Sequence, residues 1–279
     1  MAAIVYEGRT ISDSIAERIR KEVGNQGNPP KLSVIRIGKD AASSSYFRAK
    51  IRKGRDLGIE VDAHSLPPET SAKEAADLMD SLAADPEVDG IILENEVPEH
   101  LSYVELANRI PYWKDVDGAT YASLGRLMSG APCLAPATPL AVMEFMRAMQ
   151  VPQGSSVAII NRTITVGKPL SMLMLSSNYT PFILHSRSLK IHEITRSCNV
   201  IVVAAGHPGF LTPEYVTEST SVIDVGINSK GGQITGDADF EKLSSIVKAI
   251  TPVPGGVGAV TSTMVFSNLM AARKLKPGK

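Results

Sequence analysis

The chain has 279 residues, 43% of them hydrophobic, and its 29 basic and 29 acidic side chains cancel. That length suits two domains rather than one core, the charge balance argues against a nucleic-acid or membrane-surface binder, which needs a basic excess, and no apolar stretch reaches membrane-spanning length. Cys133 and Cys198 make neither a disulfide framework nor a metal pair, the five histidines show no ligand spacing, and the opening MAAIVYEGRTISDS lacks the basic-then-apolar pattern of a secretory signal, so the expectation is a soluble, cytoplasmic protein without a metal.

In chain order, Ile11, Ile15, Ile19 and Val23 fall on one helical face that Gly24 can close. KLSVIRIG predicts a strand, ASSSYFRAKIRKGRDLG a helix ending at Gly58, and IEVDAHSL a second strand. SAKEAADLMDSLAADP opens with Ser71 and Glu74 at capping-box spacing and stops at Pro86. VDGIILE is a third strand, and the β-α-β-α-β series favours a parallel sheet. Residues 98–139 are dense in Pro and Gly and read as loop, with Thr138 and Pro139 as N-cap and first-turn proline of the next helix. A second set of short apolar runs follows in SSVAIIN, PFILHS, CNVIVVAAG, SVIDVG and IVKAITPVPGG, and residues 261–274 read as a final amphipathic helix. The expected fold is α/β with two lobes. A parallel three-layer lobe comprises 1–138 and 260–279, a Rossmann-like lobe comprises 139–259, and the final helix returns to the first lobe.

SSVAIINRTITVGKP has the strand, tight turn, helix layout that holds a dinucleotide pyrophosphate on N–H groups at a helix N-terminus. The G-x-G-x-x-G pattern is absent. Asn161 stands where its first glycine would be, as a residue tolerant of left-handed backbone, and Gly167 remains; an ordinary βα turn would read the same way. The next strand ends in His185, Ser186, Arg187 and Ser188, with no acid to repel a 2′-phosphate. With Arg162 as a second cation, NADP is the expected cofactor. Against that, Arg187 can be merely solvated. Gly206 and Gly226 follow strand ends and fit loops along a cofactor cleft.

In the first lobe, Tyr46 and Lys50 share a helix face. Arg48, Arg52, Lys53 and Arg55 read as a solvated basic surface. That helix follows a loop at the carboxyl end of the first strand. Glu94 ends the third, so both should meet where ligands bind in such sheets, with Asp117 of KDVDG nearby. TPVPGGVGAVT supplies a rigid, glycine-permissive loop that can approach a flat ligand. A lysine, a tyrosine and carboxylates suit hydride transfer with acid–base assistance. No Ser or Cys sits in a nucleophile elbow.

These motifs together resemble the bifunctional methylenetetrahydrofolate dehydrogenase/cyclohydrolases over almost the whole chain. DAASSSYFRAKIRKGRDLGI is similar to that family's D-P-A-S-x-x-Y-V-x-x-K followed by G-I, VDGIILENEVPEH to D-G-I-L-V-Q-L-P-L-P, PYWKDVDG to P-x-K-D-V-D-G and PATP to P-C-T-P. NRTITVGKP is similar to G-R-S-x-I-V-G-x-P, LHSRS to C-H-S-x-T and PVPGGVGAVT to P-V-P-G-G-V-G-P-M-T, while VIDVGIN is the same string. The resemblance implies oxidation of 5,10-methylenetetrahydrofolate by NADP and hydrolysis of the methenyl product to 10-formyltetrahydrofolate, in one shared site. It implies Lys50 as acid–base group, Tyr46 stacking on or orienting the pterin region, Asp117 accepting from the aminopyrimidine edge, and Gly255 with neighbouring backbone touching folate. Arg162, Thr163 and Ser186 would bind NADP at the Asn161 turn, with Gly167, Ile227 and Thr261 lining it, and the protein would be a homodimer joined through its nucleotide lobes.

The chain departs from the family at several of these positions. Glu94 replaces a glutamine, Asn161 a glycine, Thr163 a serine, and Ala259, Val260 and Thr261 stand for P-M-T. Thr163 keeps the hydroxyl; loss of glycine at 161 bears on cofactor affinity and on NADP-over-NAD preference. A carboxylate beside Lys50 favours its charged form, whereas burial favours a neutral pair. Two alternatives follow: a dehydrogenase with weak or absent cyclohydrolase activity because of Glu94, and a shikimate-type dehydrogenase, against which KDVDG and PGGVG count.

Overall fold

Ile4–Val5 form strand β1 and Gly8–Gly24 helix α1, followed by β2 (Lys31–Ile37), α2 (Ala41–Asp56), β3 (Glu60–Leu66), α3 (Ala72–Ala84) and β4 (Gly90–Leu93) in a computed structural model. It describes residues 2–38, 41–230 and 233–277, with the side chains of 41–46 and 230 outside the description. Next come α4 (Tyr103–Ala107), α5 (Tyr121–Ser129), α6 (Ala137–Ala148), β5 (Ser156–Ile160), α7 (Gly167–Ser176), β6 (Thr180–Leu184), α8 (Ile191–Arg196) and β7 (Val200–Val203). β8 (Ser221–Asp224), β9 (Asn228–Lys230), β10 (Gln233–Thr235), α9 (Phe240–Leu243), β11 (Ala249–Ile250) and α10 (Val257–Leu275) complete the chain. It divides into one unit of Ile15–Ala137 with Val265–Lys279 and another of Met1–Ser14 with Thr138–Met264.

The first unit holds a three-stranded parallel sheet in the order β3-β2-β4. All four residues of β4 are buried. Side chains alternate between faces, so a one-residue slip would exchange Ile91 and Leu93 with Ile92 and break both packed faces at once. Ile35, Ile37, Ile91 and Leu93 pack on Ala75, Met79 and Leu82 of α3. The capping box at α3 is formed as expected: Glu74 N donates to Ser71 Oγ (3.2 Å) and Ser71 N to the Glu74 carboxylate (2.9 Å). The region read as loop contains α4 and α5. Ser102 caps the first, Thr120 the second, and Gly130 (φ 71°) closes the second in the left-handed region. Single caps before helices of one or two turns carry too little periodicity to stand out against Pro and Gly.

The second unit holds a six-stranded parallel sheet in the order β1-β11-β8-β7-β5-β6. β5 lies between β6 and β7, so the winding reverses beside it. That is the switch point where doubly wound sheets bind ligands. Three sequence expectations shift. β1 pairs with β11, which takes residues 1–14 out of the lobe expected to hold 1–138; two residues are too few to show a strand pattern. α6 begins at Ala137, so Thr138 lies inside its first turn rather than capping it. α10 begins at Val257, four residues before the expected start, because Gly256 and Gly258 hid its opening turn. From Val265 on, α10 belongs to the first unit.

Candidate active site

In the first unit, Lys50 projects from α2 and Glu94 follows the last residue of β4. Lys50 Nζ donates to Glu94 Oε1 at 2.7 Å, and the two side chains are 18% and 15% exposed. That length is typical of a charge-assisted N–H to carboxylate bond. The backbone N–H of Glu94 donates to Ile35 O of β2 (2.9 Å), so the sheet ladder continues one bond past the strand and fixes where the carboxylate leaves it. Tyr46 lies four residues before Lys50 in the same helix; its side chain lies outside the described residues.

Asp117 joins this pair through a loop pinned at each preceding residue. Buried Lys114 donates to Leu82 O (3.1 Å), Ala83 O (2.9 Å) and Asp85 O (2.5 Å), closing the carbonyl end of α3. Burial holds its pKa below the ordinary lysine value. Asp115 accepts from Ala119 N (3.3 Å) and Thr120 N (2.9 Å), and Val116 O accepts from Asn268 Nδ2 of α10 (2.8 Å), which also reaches Ala135 O (2.8 Å). Gly118 has φ 61°, and a Cβ there would lie 2.4 Å from Ala135 C, so only glycine completes the turn. Burial pushes the Asp117 carboxyl up to about 6. The Lys50 ammonium pulls it down, and Asp115 and Glu94 push it further up. Tyr103 of α4 is a further member: burial, then Asp117, Asp115 and Glu94, raise its phenol above the ordinary tyrosine value, which keeps it neutral. Tyr103 carries no motif signal, Lys114 stands in KDVDG without a role of its own in the spacing, and Asn268 is marked only as a lone amide on an apolar helical stretch.

In the second unit, Asn161, Arg162, Thr163 and Gly167 form the turn from β5 to α7, next to the β6 end that carries Ser186. Asn161 is not among the positive-φ residues, which corrects the expectation that it substitutes for glycine through left-handed backbone. It holds the turn with its side chain instead. Oδ1 accepts from Thr163 N (2.8 Å), Thr163 Oγ1 (2.8 Å) and Gly167 N (2.9 Å), and Nδ2 donates to Ala204 O (2.7 Å). Val166 N donates to Thr163 Oγ1 (3.2 Å) and Lys168 N to Thr163 O (3.0 Å). Several N–H groups that the sequence offered to a pyrophosphate are thus satisfied within the turn. A Cβ on Gly167 would lie 2.1 Å from Asn161 O, so that glycine serves close backbone approach.

At the end of β6, His185 N donates to Ser188 Oγ (3.0 Å) and Arg187 N to His185 Nδ1 (3.2 Å), leaving Ser186 and Arg187 exposed with no acid among residues 185–188. Ile227, 64% exposed, follows β8. Gly255 (φ 97°) precedes α10, and Thr261 is in α10, its hydroxyl bonded to Val257 O (3.1 Å). Behind these loops, buried Asp224 accepts from Gly226 N (2.9 Å), Asp237 N (3.1 Å) and Ala238 N (2.8 Å). Burial raises its carboxyl to about 6 against those three bonds. Among the described residues no cluster of three or more His, Cys, Asp or Glu could hold a metal, and no helix is long and apolar enough to cross a membrane.

Residues 6–117 match the domain family described as tetrahydrofolate dehydrogenase/cyclohydrolase, catalytic domain, and residues 136–276 its NAD(P)-binding domain. The chain belongs to the tetrahydrofolate dehydrogenase/cyclohydrolase family. It is 42% identical over 272 residues to the bifunctional protein FolD of Thermoplasma acidophilum, covering 98% of each chain, and 41% identical to that of Picrophilus torridus, covering 97% of this chain and 98% of the other. The crystal structure of the Thermoplasma acidophilum bifunctional 5,10-methylenetetrahydrofolate dehydrogenase/cyclohydrolase superposes with a TM-score of 0.93, covering 97% of this chain and 98% of that one. A Trypanosoma brucei methylenetetrahydrofolate dehydrogenase-cyclohydrolase, complexed with NADP and an inhibitor, is 28% identical with a TM-score of 0.89 and 99% coverage of both chains. The two solved relatives carry both activities in their names and do not favour the single-activity alternative.

Proposed function

We propose that this protein oxidises 5,10-methylenetetrahydrofolate with NADP and hydrolyses the methenyl product to 10-formyltetrahydrofolate, both steps using the site at Lys50. The observation that carries this reading is the Lys50–Glu94 pair at 2.7 Å with Asp117 held beside it, on a chain of this family. Asp117 accepts hydrogen bonds from the aminopyrimidine edge, because an ionised carboxylate is acceptor-only and matches a row of N–H donors. By the family motifs, Tyr46 in the first unit and the backbone at Gly255 in the second are further folate-binding candidates, each within its own unit. Bound NADP supplies the hydride acceptor. Arg162, Thr163 and Ser186 bind it at the Asn161–Gly167 turn, with Ile227 and Thr261 lining it; exposed Arg187 and the lack of an acid at the end of β6 fit a 2′-phosphate.

The protein acts as a homodimer in the cytoplasm. The dimer reading rests on β6, an edge strand with Phe182 and Ile183 each 41% exposed, beside 54% exposed Leu175 of α7. Exposed apolar side chains on an unpaired edge favour association. The deciding experiment measures NADP reduction with methylenetetrahydrofolate, and hydrolysis of added methenyltetrahydrofolate, for the protein and for Lys50→Met. Both activities are expected in the protein, and hydrolysis is lost with Lys50. NADP reduction that needs no folate would overturn the reading, and a normal hydrolysis rate in Lys50→Met would remove Lys50 from its role.

A further inference from the structure

Resting on that reading, we propose that two buried aspartates, Asp224 and Asp237, are positioning residues for NADP: they set the loops that follow β7 and β8 and hold Ile227 outward as a cofactor contact. Asp224 ends β8 and is 2% exposed; Asp237 follows β10 and is 0% exposed. Carboxyl groups buried this deeply are costly unless their oxygens are hydrogen-bonded, and here all four oxygens accept. Asp224 Oδ1 accepts from Gly226 N (2.9 Å) and Asp237 N (3.1 Å), and its Oδ2 from Ala238 N (2.8 Å). Asp237 Oδ2 accepts from Gly206 N (2.9 Å) and its Oδ1 from Asn228 Nδ2 (2.8 Å). Asp224 N donates to Thr251 Oγ1 (2.8 Å), which fixes the first aspartate from behind.

Two features separate this arrangement from ordinary core packing. The first is where the bonds go. Val225 N donates to Val203 O (2.8 Å), the last bond along this pair of strands. Past it, Gly206, Gly226 and Asn228 are held by the aspartates, at the strand ends where ligands bind in such sheets. The same loop as Gly206 reaches the cofactor turn, since Ala204 O accepts from Asn161 Nδ2 (2.7 Å). The loops after β5, β7 and β8, three neighbours in the sheet, are thereby tied to one another. The second feature is the fit. A Cβ on Gly226 would lie 2.3 Å from Asp237 Cγ, and one on Gly236 2.0 Å from Asp224 Oδ2, so the backbone closes directly onto both carboxyl groups. Ile227 lies between Gly226, tied to Asp224, and Asn228, tied to Asp237, and it is 64% exposed. An apolar side chain kept in solvent between two anchored neighbours is preorganised, so the ordering that binding would otherwise require is already in the fold.

The experiment measures the NADP dissociation constant by titration calorimetry, and hydrolysis of methenyltetrahydrofolate, which consumes no NADP. It uses the whole protein, Asp237→Asn, Asn228→Ala, and the double variant Asp237→Asn with Asn228→Asp. Asp237→Asn keeps the side chain's shape but sets N–H donors against Asn228 Nδ2 or Gly206 N. It should raise the NADP dissociation constant about 10-fold and lower hydrolysis far less. Asn228→Ala removes one tie from the loop side with both aspartates in place, so it reads the proposal even where Asp237→Asn fails to fold; a rise of about 3-fold is expected. The double variant exchanges donor and acceptor across the 2.8 Å contact and should recover most of the affinity. Unchanged NADP affinity in the single variants, affinity and hydrolysis lost in equal proportion, or no recovery on exchange would overturn the assignment and leave the pair a part of the core. A parent protein that binds no NADP would defeat the functional reading beneath the proposal, and the proposal with it.

Discussion

Asp117 shows how one residue couples folding to binding with opposite signs. Its carboxyl is raised from 3.8 to about 6, first by burial. The folded chain therefore holds this proton more tightly than the unfolded chain. Stability from this group is full below the ordinary aspartate range and declines as pH rises through about 6. On the proposed folate role, binding favours the other form, because the ionised carboxylate is acceptor-only and matches the aminopyrimidine N–H groups. The Michaelis constant for methylenetetrahydrofolate should thus fall as pH rises through about 6, while Asp117→Asn, which cannot ionise, should bind weakly with no such inflection. A steady-state KM profile for the two proteins checks this, and an inflection persisting in Asp117→Asn would assign it elsewhere. Both Lys50 and Asp117 could be named from their motifs. What Glu94 does could not, because a carboxylate at a strand end is equally a solvated terminus, a base or an ion-pair partner until its neighbours are placed.

At the scale of single elements, the β5–α7 turn is held by the side chain of Asn161. Asn161 gathers Thr163 N, Thr163 Oγ1 and Gly167 N onto one amide oxygen. Asn161→Ala leaves those donors and Ala204 O without that partner. These bonds are exposed or part-buried, and a net hydrogen bond is worth about 0.5–1.5 kcal/mol, so the melting temperature should drop by a few degrees, about 2–4 °C per kcal/mol for a domain of this size. The freed N–H groups then become available to an anion. NADP affinity, measured by titration calorimetry, should fall by less than the turn's loss of order suggests, or rise. A drop in affinity with no thermal shift would show that Asn161 contacts the cofactor instead of stapling the turn. Element types were largely legible in the sequence, since periodicity and caps are local. The helices α4 and α5 were not, because one or two turns offer no repeat to read.

Across the whole molecule, the same edge strand that suits pairing is a liability when left alone. Among the described residues β6 has only β5 as a neighbour, and Phe182 and Ile183 remain 41% exposed. Phe182→Lys should shift the protein from dimer to monomer by light scattering at micromolar concentration, with NADP reduction retained per chain. A monomeric parent protein would refute the dimer. The division of the chain is also a whole-molecule property. Residues 1–14 join the six-stranded sheet through two strand residues, Ile4 and Val5, and α1 and α10 each contribute residues to both units.

The sequence by itself determined the alternation of strands and helices and the two-lobe α/β class, because these are written in local spacing, and its motifs singled out Lys50, Asp117, Arg162 and Ser186 as candidates. Tertiary structure decided the rest. It brought Glu94 to 2.7 Å from Lys50 across 44 residues, pinned Asp117 through Lys114 and Asn268, drew Tyr103 into the charge cluster, and turned Asn161 from an expected backbone substitute into a side-chain staple. Such pairings depend on which groups fold against one another, and therefore on burial and distance, which no spacing along the chain records.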